Sequence, residues 1–71
     1  MKKAELGQYF SNRRKSLKVN QRLVADLCGL SIHSLSNIER GEGNPTLESL
    51  EKLADVLGLE ISLAPKQMGM N

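Results

Sequence analysis

The segment SIHSLSNIER, from Ser31 to Arg40, places side chains able to form hydrogen bonds on one side of a predicted helix. Leu35 and Ile38 point to one side of a helical wheel. The opposite side collects Ile32, His33, Ser36, Asn37 and Arg40. Base edges in the major groove of DNA present hydrogen-bond donors, acceptors and the thymine methyl group. An amide, an imidazole, a hydroxyl and an aliphatic group can meet all of these. Taken alone, the pattern is equally consistent with a DNA-reading face and with a solvated face.

A second short helix directly before this segment supports the DNA-reading interpretation. Asn20 can cap a helix over Gln21–Cys28, and Gly29 suits the left-handed residue that ends it. Ser31 can then cap the next helix, which we expect to end at Arg40. The spacing of four residues across the two helices is typical of a helix-turn-helix. It places a small residue where the two helices approach closely, a glycine in the turn and an apolar residue that packs into the core. The residues with this spacing are Gln21, Ala25, Gly29 and Ile38.

Two further helices complete the predicted domain. The first runs from about Lys3 to Leu17, with an apolar stripe at helical spacing. That stripe consists of Leu6, Phe10 and Leu17, with Arg13 falling inside it. Thr46 can cap the last helix, over Leu47–Leu57. The predicted core face of this helix consists of Leu47, Leu50, Leu53, Ala54 and Leu57.

The chain then changes to an alternating pattern that is typical of a strand. Leu59, Ile61 and Leu63 alternate with polar residues until Pro65 ends the pattern. Because a single strand is not stable in water, the pattern predicts pairing with the same strand of a second copy. The predicted fold is therefore all-α, with four helices and a short C-terminal β-strand that pairs across a homodimer. Its predicted parts are a DNA-binding domain (1–58), a dimerisation strand (59–65) and a flexible tail (66–71).

Length, charge and composition narrow the possible functions. A chain of 71 residues suffices for one small domain. Residues 1–40 hold eight Lys and Arg against three acids, whereas residues 41–71 hold two against five, so the first part suits a polyanionic partner. No signal peptide or membrane-spanning run is visible, which predicts a cytoplasmic protein. One His, one Cys and no glycine-rich phosphate loop argue against an enzyme, a metal site or a cofactor. We expect Cys28 to be a buried small hydrophobe.

From about Leu6 to Leu57 the chain resembles the lambda-repressor and Cro-like (XRE-type) helix-turn-helix family. The segments that carry this resemblance are RRK, NQRLVADLCGLS and SLSNIERGEGNPTLESLEKLADVLGL. The following segment, LGLEISLAPK, is similar to HipB-type antitoxins, in which a strand after the last helix pairs across the dimer.

The resemblance implies a role for individual residues. The base-reading positions of the family correspond to Ile32, His33, Ser36 and Asn37. The positions that meet the DNA backbone correspond to Asn20, Gln21, Arg40 and Asn44. Arg14 and Glu39 match an ion pair that ties the first helix to the third, and Leu59, Ile61 and Leu63 match the dimerisation strand. Arg13 departs from the family pattern, in which an aliphatic residue is common; it could compete for Glu39 or reach toward phosphate.

Three functions remain open at this stage. The leading hypothesis is a homodimeric DNA-binding regulator, a repressor that reads an inverted repeat. As a HipB-like antitoxin, the dimer would also bind a HipA-type kinase and repress its own operon; an adjacent kinase-like reading frame would favour this. The third hypothesis is a protein-interaction module that uses the same fold, which failure to bind any DNA at low salt would favour.

Overall fold

Four helices form the chain in a computed structural model, which describes residues 1–66. They are α1 (Lys3–Ser16), α2 (Gln21–Cys28), α3 (Ile32–Glu39) and α4 (Leu47–Val56). The predicted all-helical, four-helix architecture is confirmed, and the helix bounds agree with the predicted ones to within one residue. No helix in the described part of the chain has the length and apolar character needed to cross a membrane. The tail predicted for 66–71 lies outside the described residues, apart from Lys66.

The core lies where α2 meets two neighbouring helices. α2 packs against both α3 and α4, while α1 packs against α3. The buried apolar residues are Phe10, Val24, Ala25, Cys28, Leu35, Ile38, Leu53, Ala54 and Leu57. Every helix contributes at least one of them, so the position of α3 depends on all four helices packing together.

Some apolar residues that the helical spacing assigned to the core lie on the surface. Leu47, predicted on the core face of α4, is 62% exposed because it opens the helix, one turn before α4 reaches the core. Leu17 is also exposed, since it caps the C-terminal end of α1. α2 is apolar at most of its positions, and two of its apolar residues, Leu23 and Leu27, are also exposed, beside buried Val24. The apolar arc of α2 is thus wider than the face that its neighbours cover.

Cys28 is a buried free thiol at the contact of α2 with α4. Its Sγ lies 3.8 Å from the carbonyl oxygen of Lys52. Burial raises the pKa of the Cys28 thiol, so the protonated form is favoured at neutral pH. Cys28 therefore packs as a small apolar side chain, as its place in the sequence predicted.

Residues 59–66, which include the predicted strand, form neither a helix nor a strand within the described single chain. Leu59 packs against the core, whereas Ile61 is 41% and Leu63 is 98% exposed. The physical reason is that strands are stabilised by pairing, and these residues have no neighbouring strand in one copy of residues 1–66. The strand and its pairing across a dimer stay predictions.

Candidate nucleic-acid interface

α2 and α3 are joined by a tight turn, and the start of each helix is fixed by a side-chain cap. The Asn20 Oδ1 accepts a hydrogen bond of 2.8 Å from the backbone N–H of Leu23 at the start of α2. The Ser31 Oγ accepts one of 3.0 Å from the backbone N–H of Ser34 at the start of α3. Between them Gly29 has φ of +74°, a left-handed conformation that costs a glycine little. These local interactions define where each helix begins and how α3 leaves the turn.

α3 has one buried side and one open side. Leu35 and Ile38 are buried in the core. The predicted base-reading residues lie on the other side. Of these, Ile32 and His33 are exposed, while Ser36 and Asn37 are partly buried. The structure therefore brings the four residues together on one outward face of α3, which we call the reading face.

Hydrogen bonds connect the polar residues of the reading face. Asn37 Nδ2 lies 3.4 Å from His33 Nε2. Arg40 Nη2 donates to Asn37 Oδ1 at 2.6 Å, and Arg40 Nη1 donates to Ser36 Oγ. Arg40 Nε donates to Glu42 Oε1 at 3.2 Å, with both side chains half exposed. The face thus offers an amide, an imidazole and a hydroxyl that are already ordered relative to one another.

A largely buried ion pair attaches α3 to α1. Arg14 Nε and Nη2 donate to the two carboxylate oxygens of Glu39 at 2.7 and 3.0 Å. Arg14 Nη1 donates to the Val19 carbonyl at 2.9 Å, and Gln21 Nε2 donates to Glu39 Oε1 at 3.1 Å. The side chains of Arg14 and Glu39 are only 12% and 7% exposed. Because Gln21 belongs to α2, the cluster connects α1 and α2 to the C-terminal end of α3, next to the reading face.

The protonation behaviour of the pair follows from this cluster. Burial raises the pKa of Glu39, but hydrogen bonds from Arg14 and Gln21 and the charge of Arg14 outweigh burial and hold that pKa below its usual range. The hydrogen bond to Glu39 raises the pKa of Arg14. Both groups therefore stay charged at neutral pH. The positive charge of Arg14 balances the negative charge of the Glu39 carboxylate, which lies beside the reading face.

Comparison with known proteins agrees with this geometry. A family model described as helix-turn-helix matches residues 10–63. The chain belongs to the helix-turn-helix family. The Cryptic phage CTXphi transcriptional repressor RstR of Vibrio cholerae is 39% identical over 57 residues, which are 80% of this chain and 51% of that protein. The immunity repressor protein of Bacillus phage phi105 is 39% identical over 57 residues, which are 80% of this chain and 40% of that protein.

A solved structure extends the comparison to the fold. The restriction-modification controller protein C.AhdI from Aeromonas hydrophila matches with a TM-score of 0.78 and 31% identity, covering 82% of this chain and 88% of that one. The matched part of this chain spans about half the length of the first curated relative and 40% of the second. The predicted membership of an XRE-type helix-turn-helix family is confirmed, while the closer similarity to HipB-type antitoxins stays a prediction.

Within this helix-turn-helix unit, the predicted backbone-contact residues lie in different settings. The Asn20 side chain caps α2, and the Gln21 amide is bound to Glu39. Arg40 is turned toward the reading face, and Asn44 is exposed in the loop before α4. The structure therefore brings Asn20 and Gln21 together at the start of α2 and places Arg40 and Asn44 near the end of α3.

Arg13 has a role that the sequence left open. Its Nε donates a hydrogen bond of 2.8 Å to the carbonyl oxygen of Leu57, at the C-terminal end of α4. The last carbonyls of a helix lack partners within the helix and carry partial negative charge, so a guanidinium is favourable there. Arg13 thus joins α1 to α4, and Arg14 alone of the two pairs with Glu39.

Gly7 is a positioning residue that the sequence analysis missed. A Cβ atom at Gly7 would meet the backbone oxygen of Ile38 and lie 2.7 Å from that of Glu39. Gly7 therefore marks a close backbone approach of α1 to the C-terminal end of α3. The available signal was a glycine inside a predicted helix, since such a residue is unfavourable unless packing or function requires it.

Proposed function

We propose that this chain is a sequence-specific DNA-binding regulator, a dimeric repressor that reads an inverted repeat through α3. The observation that carries the proposal is the two-sided character of α3. Its inner side is fixed in the core by Leu35 and Ile38, while its outer side presents the reading face. A helix held in this way can enter the major groove without losing its packing.

Each residue of the reading face has a chemistry suited to a base edge. The Asn37 amide can donate to and accept from adenine, and Ile32 can contact a thymine methyl group. His33 and Ser36 can bond to several bases. The family match and the two repressors among the relatives support a DNA-binding regulator and the view that the chain is not an enzyme.

Affinity would come largely from the DNA backbone. We assign this contact to Asn20, Gln21, Arg40 and Asn44, together with the exposed N-terminal amides of α2. The excess of Lys and Arg in residues 1–40 favours a polyanion. These contacts fix the register of α3 on the duplex, whereas the reading face provides the sequence preference.

Asn37→Ala is expected to relax base preference at one position of each half-site by about tenfold, because a bidentate amide-to-base contact carries about 1–3 kcal/mol of discrimination. Selection from random duplexes, followed by affinity measurement at fixed salt, checks this. Asn44→Ala is the matched control, since loss of a backbone contact weakens all sequences alike. Unchanged preferred sequences in Asn37→Ala would contradict base reading by Asn37. Absence of any preferred sequence for the unaltered chain would contradict the proposed function.

The proposed dimer forms through Leu59, Ile61 and Leu63. Among the described residues, the backbone of 60–66 makes no hydrogen bond to another backbone group. Ile61 and Leu63 are both exposed, and as residues two apart they would lie on the same face of a strand. Pairing with a second copy would satisfy that backbone and cover both side chains. Two α3 helices about 34 Å apart would then fit an inverted repeat.

Ile61→Lys is expected to raise the dissociation constant of the dimer at least about tenfold, because an ammonium group would replace an apolar side chain in the dimer contact. Analytical ultracentrifugation over a concentration series measures this constant. Ser62→Lys adds the same charge to the other side of the strand and should leave the constant nearly unchanged. Equal effects of the two changes, or none from Ile61→Lys, would place the dimer contact elsewhere.

The antitoxin alternative rests on the resemblance of the segment LGLEISLAPK to HipB-type proteins. A HipA-type kinase as partner and a cytoplasmic location stay predictions. A helix-turn-helix module that binds only proteins is the third alternative, and the selection from random duplexes distinguishes it from the proposed regulator.

A further inference from the structure

The guanidinium of Arg40 is bound to the reading face rather than extended away from it. All three of its nitrogen atoms donate, to Ser36, to Asn37 and to Glu42. A residue that served only to meet phosphate would need a positive charge, which a lysine also supplies. Three acceptors around one planar group require the guanidinium of an arginine, whose N–H donors point in fixed directions within one plane. We call this arrangement of donors the fork. The geometry therefore points to a function for the fork besides its charge.

The hydrogen bond from Arg40 decides which way the amide of Asn37 faces. Its Oδ1 accepts from Arg40 Nη2 at 2.6 Å, so Nδ2 lies on the other side, 3.4 Å from His33 Nε2. In the reverse orientation the NH2 group of the amide would face the guanidinium. Both groups are hydrogen-bond donors, so no hydrogen bond could form between them. The oxygen keeps a second lone pair and the nitrogen a second N–H, which are the two groups that an adenine edge needs.

Glu42 holds the other end of the fork. Its Oε1 accepts from Arg40 Nε at 3.2 Å, from just beyond the end of α3. The carboxylate favours the bent position of the arginine over one extended toward solvent. The order of contacts is thus Glu42 to Arg40, then Arg40 to Ser36 and Asn37.

We propose that Arg40 is a positioning residue for base recognition, which acts by fixing the orientation of the Asn37 amide before DNA is bound. This proposal rests on the proposed function and adds to it a residue that determines specificity. It differs from a phosphate-contact role in its consequences. Loss of a phosphate contact weakens all sequences equally, whereas loss of the fork relaxes preference at the position that Asn37 reads.

Arg40→Lys separates the two roles, because lysine keeps the charge and lacks the planar fork. The expected result is a loss of about tenfold in base discrimination at the half-site position that Asn37→Ala also relaxes. The dependence of affinity on salt should stay as in the unaltered chain, since the number of cations is the same. Selection from random duplexes and binding titrations at several salt concentrations measure both quantities. Arg22→Lys, the same change on an exposed part of α2, is the matched control and should change no position selectively.

The double variant Asn37→Ala with Arg40→Lys tests whether one residue acts through the other. If it does, the double variant discriminates at that position no worse than Asn37→Ala alone. Preference unchanged by Arg40→Lys while Asn37→Ala alters it would overturn the positioning role and leave the proposed function standing. Relaxation only at positions read by neither Asn37 nor Ser36, or additive losses in the double variant, would overturn it as well. Failure of the unaltered chain to select any sequence would instead count against the proposed function.

Discussion

Gly7→Ala is expected to lower the free energy of unfolding by about 3 kcal/mol, the upper end of the usual cost of forcing a methyl group into a closely packed contact. The new Cβ would meet two backbone oxygens of α3, those of Ile38 and Glu39, the latter at 2.7 Å. Backbone atoms cannot rotate away as a side chain can, so α1 and α3 must move apart. A domain of 71 residues is stable by only about 4–10 kcal/mol, so the loss is a large part of the total.

The sign of this effect makes the prediction specific. Helix propensity alone predicts that alanine in place of a helical glycine stabilises by about 1 kcal/mol. Thermal and urea unfolding followed by circular dichroism measure the change, with an expected drop in Tm of roughly 15 °C. Gln8→Ala, at the exposed neighbouring position, is the control and should shift Tm little. An unchanged or higher Tm for Gly7→Ala would show that α1 and α3 are not so close.

Gly7 also connects the fold to the reading face. It contacts the turn of α3 that contains Ile38 and Glu39, and Arg40 follows directly. Moving α1 outward would therefore disturb both the Arg14–Glu39 pair and the base of the reading face. Stability and DNA recognition are coupled at this point because one short helix supplies both the packing and the proposed contacts.

The features that the sequence could predict are those set by local interactions. Asn20, Ser31 and Thr46 each accept a hydrogen bond from a backbone N–H three residues ahead, so their helices begin where the capping residues stand. Gly29 ends α2 for an equally local reason. Leu35 and Ile38 follow from helical spacing alone. The outward direction of the remaining α3 side chains is then a geometric consequence, which is why the reading face could be predicted as a set.

The features that the sequence could not predict depend on distant partners. Arg13 bonds to Leu57, 44 residues away, and no local pattern distinguishes this from a bond to Glu39. The exposure of Leu23 depends on how much of α2 is covered by α3 and α4. The spacing of apolar residues within α2 gives no information about that. The strand predicted at Leu59–Leu63 needs a second chain, so its formation depends on assembly as well as on sequence. The orientation of the Arg40 fork is similarly a product of Glu42, Ser36 and Asn37 together.

Arg14→Met is expected to lower the free energy of unfolding by about 3 kcal/mol at pH 7, because it leaves the Glu39 carboxylate buried without its cation. Exposed ion pairs contribute only about 0–1 kcal/mol, but here the side chains are 12% and 7% exposed, which places the pair near the buried limit. Methionine keeps an apolar side chain of similar length, so packing is largely retained. Urea unfolding at pH 7 measures the loss, and Arg22→Met on the exposed part of α2 controls for removing a positive charge.

The pH dependence distinguishes loss of the ion pair from loss of packing. In the unaltered chain the pKa of Glu39 lies below its usual value, so its contribution to stability is present above about pH 4.3 and is lost as the pH falls through the lower folded-state pKa. In Arg14→Met the hydrogen bonds and the charge of Arg14 are lost while the burial of Glu39 remains, so the pKa of Glu39 is expected to rise from its value in the unaltered chain. Protonation then removes the buried charge. The loss in free energy of unfolding caused by Arg14→Met should therefore be largest at neutral pH and should shrink below about pH 4.

The double variant Arg14→Met with Glu39→Gln carries no buried charge. It should be more stable than Arg14→Met alone at pH 7, and the stabilities of the two variants should converge in acid. A deficit that is the same at pH 7 and pH 3.5 would mean that Arg14 stabilises the domain by packing and by its bond to the Val19 carbonyl, and that the charge of Glu39 contributes little.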